Sequence, residues 1–425
     1  ISLGSASRCK GGATRGIGPS KLVRGPLVTS TGFGDPIVPT LNLPISDGTL
    51  LPFTTSMPQD FPTRTNRPFN RIAYAAAHVV ADPLADLDPW LETAIDWDAT
   101  IAYRTKLFGL GLGVAEAMDT AHRGTGLDWT TSQDLIRRSL EAARQIPAAR
   151  IVCGAGTDHL EPATDIRLDD VIRAYEEQVA FVEKEGGRVI LMASRALAAC
   201  AKSPDDYTTV YDRILSQVRE PVLIHWLGEM FDPNLSGYWG HDDHMAAMGV
   251  CIDILTANTA KVEGIKVSLL DKGKEIIMRR RLPGSVRMYT GDDFNYAELI
   301  AGDEMGYSDA LLGIFDAIAP AASAALEAFA GGDEDRFHKI LAPTVPLSRH
   351  IFKSPTPFYK TGVVFMAWLN GHQEHFVMVG GQQSARSLLH LAELFRLADA
   401  SGLLVDPELA SSRMSTFLTT HGVTN

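Results

Sequence analysis

Cysteine is scarce in this chain, with 4 in 425 residues, and the four are far apart. Cys9, Cys153, Cys200 and Cys251 form no CxxC pair, which argues against a disulfide framework and against a thiolate metal site. No apolar stretch approaches the roughly 20 residues that span a bilayer. The Gly- and Arg-rich N-terminus lacks the apolar core of a signal peptide. These absences predict a soluble protein of the cytoplasm.

Basic residues are also fewer than acidic ones. Lys and Arg number 39 against 51 Asp and Glu, which gives a formal net charge of −12. Nucleic acids and anionic membranes select for basic surfaces, so neither is an expected partner. The chain is 45% hydrophobic and 21% charged, a composition typical of a globular, enzyme-sized protein with a large core.

Composition and hydrophobic pattern divide the chain into three regions. Residues 1–70 are rich in Gly, Pro, Ser and Thr and predict an irregular N-terminal extension. Residues 71–320 alternate short apolar runs with amphipathic segments. Residues 321–425 are largely of helical pattern, which predicts a C-terminal helical region rather than a second α/β domain.

Eight apolar runs in the central region are mostly continuous rather than alternating, as expected of parallel strands buried on both faces. With helical segments between them, they predict an α/β protein with a (β/α)8 TIM barrel over residues 71–320. A Rossmann fold is less favoured, because no GxGxxG turn follows the first run. The runs are Arg71–Val80, Gly113–Met118, Arg150–Cys153, Arg188–Met192, Pro221–His225, Gly264–Ser268, Val286–Thr290 and Ala310–Phe315.

One lysine interrupts a predicted strand. Lys266 lies in the run Gly264–Ser268, where taking an ammonium group out of water is costly and lowers the pKa of a lysine. A neutral lysine amine is a nucleophile that condenses with carbonyl groups to give a Schiff base. Taken alone, the residue is also compatible with an edge-strand lysine whose ammonium group reaches solvent.

Polar and ionisable residues follow the ends of nearly all predicted strands, which is where the active site of a barrel lies. His225 ends the fifth run and Lys266 interrupts the sixth, so we expect the two on neighbouring strands. The other candidates at this end are Asp82, Asp119, His122, Arg123, Asp158, His159, Ser194, Arg195, Asp292 and Asp293.

Several segments occur in the order of a known family. Gly264-Ile265-Lys266, followed by Ser268 and Asp271, resembles the Schiff-base strand of the dihydrodipicolinate synthase and N-acetylneuraminate lyase superfamily. The chain is identified, over roughly residues 71–403, as a divergent member of this class I aldolase superfamily. The further resembling segments are Pro221–His225 (fifth strand), Tyr289–Asp293 (seventh strand), Gly306–Pro320 (eighth strand) and Lys360–Leu403 (helical tail).

The resemblance implies a lyase or aldolase that acts on a 2-oxo acid or a related keto-sugar acid. Lys266 would form the Schiff base, whose protonated imine stabilises an enamine, so no metal or organic cofactor is expected. His225 replaces the tyrosine of the family and is expected to shuttle protons, because imidazole acts as a general acid and base near neutral pH. The resemblance also implies a homo-oligomer, either a dimer or a tetramer.

The loop that holds the substrate carboxylate in the family aligns with Ala121–Thr125, where the threonine pair of the family is absent. An arginine in this loop is a candidate to bind a carboxylate through two parallel hydrogen bonds instead. The expected substrate-binding residues are His122, Arg123, Ser268, Gly291 and Asp292.

Simpler roles and other function classes stay open. Arg123 could be a surface residue, His225 a core histidine, and Asp292 with Asp293 a helix cap.

A metal-dependent lyase or isomerase is a second hypothesis. Its ligands would be Glu229, His241 and His244, and His372 and His375 repeat the histidine spacing. A non-catalytic barrel that binds an oxo acid or sugar acid is a third hypothesis.

Overall fold

Eight parallel strands close into a barrel in the computed structural model, which describes residues 38–61, 64 and 67–423. Each predicted run overlaps one barrel strand, so the predicted (β/α)8 fold is confirmed. The strands follow one another in chain order around the barrel, and the last pairs with the first. After a hairpin of β1 (Thr40–Pro44) and β2 (Leu50–Thr54), the barrel strands are β3 (Ala73–Ala76), β4 (Gly113–Glu116), β5 (Ile151–Ala155), β6 (Arg188–Leu191), β7 (Val222–Leu227), β8 (Val262–Ser268), β9 (Arg287–Thr290) and β10 (Asp309–Leu312).

The barrel strands are buried on both faces, which explains why their sequences do not alternate between apolar and polar residues. All four residues of β3 are buried. Alternate side chains fill the barrel interior, where Tyr74, Ile190, Leu223 and Tyr289 belong to one apolar cluster. The remaining strand residues face the surrounding helices.

Helices connect the strands and continue beyond the barrel. Many begin at a side-chain cap; Asp128, for example, accepts a hydrogen bond from the Thr131 backbone N–H at the start of α2 (Trp129–Arg144). The other helices are α1 (Trp97–Gly109), α3 (Leu168–Lys184), α4 (Arg195–Cys200), α5 (Pro204–Gln217), α6 (His244–Ala257), α7 (Lys272–Arg281), α8 (Tyr296–Ala301), α9 (Ile314–Ala317), α10 (Ala319–Ala330), α11 (Glu334–Leu341), α12 (Thr344–Ile351), α13 (Tyr359–Leu369), α14 (Leu388–Ala400) and α15 (Pro407–Thr420).

The C-terminal region is helical, as predicted, and packs on the barrel. Every residue of α13 is buried. This helix contacts α9, which itself packs on the end of β3, so the first residues of α13 lie over the carboxyl ends of the strands. Val38–Asn425 forms one compact unit, in which barrel and C-terminal helices share an apolar core.

The hairpin of β1 and β2 lies within the predicted irregular extension and packs against the C-terminal helices. Phe53 of β2 meets Phe395 of α14 edge-on, with ring centroids 6.1 Å apart. Residues 1–37 of the extension lie outside the described residues. Across the described ranges, no helix combines the length and the apolar character that a transmembrane span requires.

Candidate active site

Lys266 lies near the carboxyl end of β8 and is 7% exposed. Its register neighbours are His225 on β7 and Tyr289 on β9. Gly291, just after β9, leaves room for the lysine chain, because a Cβ at this position would lie 2.8 Å from Lys266 Cε and would also clash with Ser268 Oγ. The structure thus gives Gly291 a steric role, while its predicted role in substrate binding stays a prediction.

The surroundings of Lys266 make its ammonium group easier to deprotonate than that of an exposed lysine, with a pKa lowered to about 8. Burial lowers the pKa of Lys266, and the carboxyl groups of Asp293 and Asp119 oppose that shift only in part. Burial also raises the pKa of Asp293 toward neutrality. The side-chain amine of Lys266 forms no ion pair or hydrogen bond with any residue in the described part of the chain. A buried lysine without a bonded counter-ion is suited to nucleophilic attack.

His225 lies beside Lys266 and is 2% exposed. Its Nε2 lies 3.2 Å from Ser268 Oγ, at the end of the strand that carries Lys266. Burial, with a smaller contribution from Lys266, holds the pKa of His225 well below its usual range. The imidazole is therefore neutral and partnered by a hydroxyl group.

A small inner pocket surrounds the Lys266 side chain. Its free volume is about 10 Å³, which is roughly the space of one water molecule. Of the predicted site residues, Lys266, His225 and Ser268 line it together. The other lining residues are Ala76, Met118, Asp119, Thr120, Leu227, Phe231, Asp293, Gly313, Phe352 and Tyr359.

The C-terminal region contributes to this pocket, which the sequence analysis did not predict. Tyr359, at the start of α13, donates a hydrogen bond of 2.8 Å to Asp119 Oδ2, and its oxygen lies 2.8 Å from Thr120 Oγ1. The next residue, Lys360, places Nζ 3.2 Å from Asp119 Oδ1 and is 2% exposed. Burial raises the pKa of Tyr359 well above its usual range, so its hydroxyl stays protonated.

A larger outer chamber of about 450 Å³ adjoins the inner pocket. Asp119, His225 and Leu227 line both spaces, so a substrate in the chamber would reach Lys266 past these three side chains. The chamber is also lined by Arg123, Gly124, Thr157, Asp158, Leu160, Glu161, Pro162, Met192, Ala193, Arg195 and Asn234.

Arg123 lines the outer chamber, but its guanidinium is occupied within the protein. It forms a two-point ion pair with Asp158, with N–O distances of 2.8 and 2.9 Å. It also donates to Gln178 Oε1 and to the carbonyl oxygens of Ala117 and Gly154. These bonds use all five of its N–H groups, so Arg123 holds the chamber wall together and has no free donor for a substrate carboxylate.

Arg195 lines the same chamber, and fewer of its guanidinium N–H groups have hydrogen-bond partners among the described residues. It pairs through Nε with Asp232 and donates through Nη1 to the Gly124 carbonyl at 3.2 Å. Its Nη2 has no partner among the described residues, and the side chain is 29% exposed. Its position after β6 was noted in the sequence, but only the structure distinguishes its free donors from the occupied ones of Arg123.

His122 does not reach either space, contrary to expectation. The chain forms a 3-10 turn over Asp119–Ala121, and His122 follows with φ of 64°, a left-handed conformation that turns its side chain into the protein. Its ring nitrogens are buried and have no hydrogen-bond partner among the described residues, and burial lowers its pKa well below the usual range. Asp119 and Thr120, a few residues earlier, occupy the pocket instead.

Asp292 and Asp293 follow β9, and Asp292 was predicted to bind substrate. Asp292 accepts hydrogen bonds from the Phe294 and Asn295 backbone N–H groups and does not line the pocket, so it organises the turn. Asp293 lines the pocket and accepts a 2.8 Å hydrogen bond from the Ile314 N–H at the start of α9. Of these two aspartates, it is therefore Asp293 whose carboxyl group lines the pocket.

One of the histidines proposed as metal ligands, His244, has other partners. His244 Nε2 lies 3.1 Å from Glu229 Oε2, while its Nδ1 lies 3.0 Å from Lys274 Nζ. An ammonium group beside an imidazole nitrogen disfavours a cation at the same atom. Between residues 38 and 423, gaps aside, no group of three His, Cys, Asp or Glu residues has the arrangement of a metal site.

Comparison with solved structures places the fold among dihydrodipicolinate synthases. The enzyme from Thermotoga maritima matches with a TM-score of 0.57 at 13% identity, over 78% of this chain and 99% of its own. The enzyme from Cyanidioschyzon merolae, solved with lysine bound, matches with a TM-score of 0.57 at 15% identity, over 78% and 98%. A prophage protein of the same family from E. coli K12, solved with pyruvate, gives 0.56 at 12% identity, over 83% and 99%.

The predicted resemblance is thus confirmed for the fold. A search of curated proteins finds no match. A family model described as "Protein of unknown function (DUF993)" matches residues 41–423, which is most of the chain. The chain therefore belongs to this DUF993 family, built on a dihydrodipicolinate synthase-like barrel.

Proposed function

We propose that this protein is a Schiff-base-forming lyase or aldolase in which Lys266 is the nucleophile. The observation that carries the proposal is the buried amine of Lys266 at the carboxyl end of a barrel strand, which has no bonded partner among the described residues and lines an inner pocket beside a chamber of about 450 Å³. Active sites of (β/α)8 barrels lie at this end. The fold shared with dihydrodipicolinate synthases, one of them solved with pyruvate, agrees with this chemistry.

The reaction begins when the neutral Lys266 amine attacks the carbonyl carbon of the substrate. The carbonyl oxygen leaves as water, and a protonated imine remains. In the cleavage direction, a base removes the proton from the hydroxyl on the β-carbon, the bond between the α- and β-carbons breaks, and its electrons form the enamine. A proton added to the enamine carbon, followed by hydrolysis of the imine, releases the second product and restores the amine.

Two groups beside Lys266 can move these protons. His225 is a neutral imidazole held by Ser268, and Asp293 has a pKa raised toward neutrality by burial. Both line the inner pocket. We assign the proton transfers to this pair, with the neutral imidazole of His225 as the shuttle and Asp293 as the group whose pKa lies near neutrality, where proton transfer is most effective.

Borohydride trapping tests the proposal. The protein would be incubated with 2-oxo acids and keto sugars, reduced, and examined by intact mass and peptide mapping. We expect a reduced adduct on Lys266 and none in Lys266→Ala. Absence of any adduct, with a known class I aldolase trapping in parallel, would overturn the proposal. An adduct that forms while no substrate is ever turned over would favour the non-catalytic binding barrel.

The assembly and location of the protein also remain predictions. A homo-oligomer, dimer or tetramer, is expected from the resemblance, and light scattering after size-exclusion chromatography would measure it. A cytoplasmic location is expected from the sequence, and fractionation of the source cells would test it.

A further inference from the structure

A separate cleft lies in the C-terminal region, between the end of β1, the end of α12 and the first turns of α14. We call it the C-terminal cleft. Its free volume is about 530 Å³, which is within the range of small-molecule sites. It shares no lining residue with the inner pocket or the outer chamber. The lining residues are Pro44, Ile45, Ser46, His350, Lys353, Ser387, Leu389, His390, Glu393 and Arg396.

Positive charge prevails at this cleft, although the chain as a whole has a formal net charge of −12. The one carboxylate in its lining, Glu393, is paired with Arg396 at 3.3 Å. The Lys353 amine has no ion-pair or hydrogen-bond partner within the described ranges. Arg386, next to the wall, donates through Nη2 to the Lys353 and Pro355 carbonyl oxygens and has no carboxylate partner there either. Two cations at the cleft are therefore without a counter-ion among the described residues.

Two stacked imidazoles form part of the wall. The rings of His350 and His390 have centroids 4.1 Å apart and an interplanar angle of 16°. His350 Nε2 donates to the His390 carbonyl oxygen at 2.9 Å. His390 is 6% exposed, yet neither of its ring nitrogens has a hydrogen-bond partner in the part of the chain that the structure describes. Because buried polar groups are nearly always hydrogen-bonded, an unpartnered imidazole at a cleft indicates a ligand.

The positive field reaches this imidazole pair. Burial, the neighbouring His350 and the two cations Arg386 and Lys353 lower the pKa of His390 to about 3. The 13-residue helix α14 also begins at the cleft, where Ser387 accepts a hydrogen bond from the His390 backbone N–H. The first N–H groups of a helix have no intrahelical acceptor and attract anions. The helix end and the two cations thus favour the same kind of ligand.

The amount of charge favours a phosphate group over a single carboxylate. A phosphate monoester carries a charge of about −2 at neutral pH, which matches two cations that lack counter-ions. The remainder of the wall is apolar, through Pro44, Ile45 and Leu389, and offers a surface to the organic part of such a ligand.

We infer that the C-terminal cleft binds the phosphate group of a small molecule that is not the substrate of Lys266. The phosphate lies between Lys353 and the first turn of α14, beside His390, and Arg386 contributes through its charge. This inference goes beyond the proposed function and does not depend on it. The cleft nevertheless adjoins the active site, because Phe352 lines the inner pocket and the next residue, Lys353, lines the cleft.

Isothermal titration calorimetry of the full chain near neutral pH tests the inference, with inorganic phosphate and phenyl phosphate as probes in a chloride buffer. We expect saturable binding of one phosphate per chain, with a Kd on the order of 1 mM or lower. Phenyl phosphate should bind about 5-fold more tightly if the ligand is a phosphate ester, because its ring can pack on the apolar wall. Equal affinities would support the site and assign it to free phosphate.

Variants locate the bound phosphate. Lys353 is exposed, so Lys353→Met should keep the fold, and it should weaken binding about 10-fold. Lys339→Met is the matched control, because Lys339 is an exposed lysine of α11 that does not line the cleft, and it should change the Kd by less than about 2-fold. His390→Leu should weaken binding about 3-fold or more, since a hydrogen-bonding group is lost. If His390→Leu does not fold, the two lysine variants decide the test.

Three results would overturn the inference. The first is that neither probe binds the wild-type protein up to about 20 mM. The second is an equal loss of affinity in Lys339→Met and Lys353→Met, which would indicate non-specific attraction. The third is loss of binding in Arg195→Met with retention in Lys353→Met, which would place the anion in the outer chamber instead.

Discussion

Two buried lysines at the carboxyl end of the barrel have opposite surroundings. Lys266 on β8 is 7% exposed and has no bonded counter-ion among the described residues. Lys360 on α13 is 2% exposed, and its Nζ lies 3.2 Å from Asp119. A buried ammonium group with a carboxylate partner stays charged, whereas one without a partner is driven toward the neutral amine. The comparison teaches that burial alone does not identify a nucleophilic lysine.

The largest expected effect comes from exchanging each lysine for a residue without an amine. Lys266→Ala should abolish borohydride adducts and lower the catalytic rate by about 10⁴-fold or more, because no other group can form the imine. Lys360→Met should keep the adduct on Lys266, but it leaves the Asp119 carboxylate without its counter-ion and should lower the free energy of unfolding by about 3 kcal/mol. Peptide mapping of both variants, with circular dichroism as the folding control, makes the comparison. An adduct on Lys360 in the wild-type protein would reverse the assignment.

A second prediction concerns the space that the Lys266 chain needs. Gly291→Ala would place a methyl group 2.8 Å from Lys266 Cε and force the amine to shift. A misplacement of about 1 Å lowers the rate by about 10²-fold. Initial-rate kinetics measure the loss, and Gly249→Ala, at an open helical position, is the control. Unchanged kinetics in Gly291→Ala, with the fold intact, would contradict the steric role.

A third prediction uses the carboxyl group near Lys266. The Asp293 carboxylate raises the pKa of Lys266, so Asp293→Asn should lower it further. Imine formation needs the neutral amine and increases as pH rises through that pKa, so its midpoint should move to lower pH in the variant. The rate of turnover should fall about 10²-fold, because a proton-transfer group is lost. The pH dependence of trapping in wild type and variant measures the shift, and a midpoint that moves upward would contradict it.

The smallest effect is expected at the histidines once considered as metal ligands. His244→Gln removes contacts to Glu229 and Lys274 on the chamber exterior and should change the rate by less than about 2-fold. His241→Gln should behave similarly. Elemental analysis of the purified protein accompanies the kinetics, and loss of a stoichiometric metal together with activity would restore the metal-dependent hypothesis.

The residue proposed as nucleophile could be singled out from the sequence because its signal is local. Lys266, Ser268 and His225 lie within short apolar runs, where strand burial and side-chain type can be read together. The barrel could be predicted for the same reason, since continuous apolar runs of this kind are typical of parallel strands. The roles of residues in turns were less predictable, because the backbone conformation of the turn decides which of two adjacent side chains enters the pocket. Asp292 and Asp293 differ by one position, and only the backbone turn decides that the second enters the pocket.

Roles set by distant partners could not be derived from the sequence. The guanidinium of Arg123 is occupied by Asp158 and Gln178, which lie on other elements. Tyr359 and Lys360 are far from Lys266 in sequence, and nothing in their local pattern indicates a place in the pocket. The start of α15 is a different case, because Asp406 followed by Pro407 is a recognisable helix start.

The position of Tyr359 at the start of α13 has a consequence for biosynthesis. Lys266 leaves the ribosome well before α13, and chains fold from the N-terminus during synthesis. Until α13 docks, one wall of the pocket is missing, so water reaches the lysine and keeps it an ordinary, protonated side chain. On the proposed function, a partly synthesised chain would thereby be protected from premature reaction with carbonyl compounds, because Lys266 would become reactive only after α13 has docked.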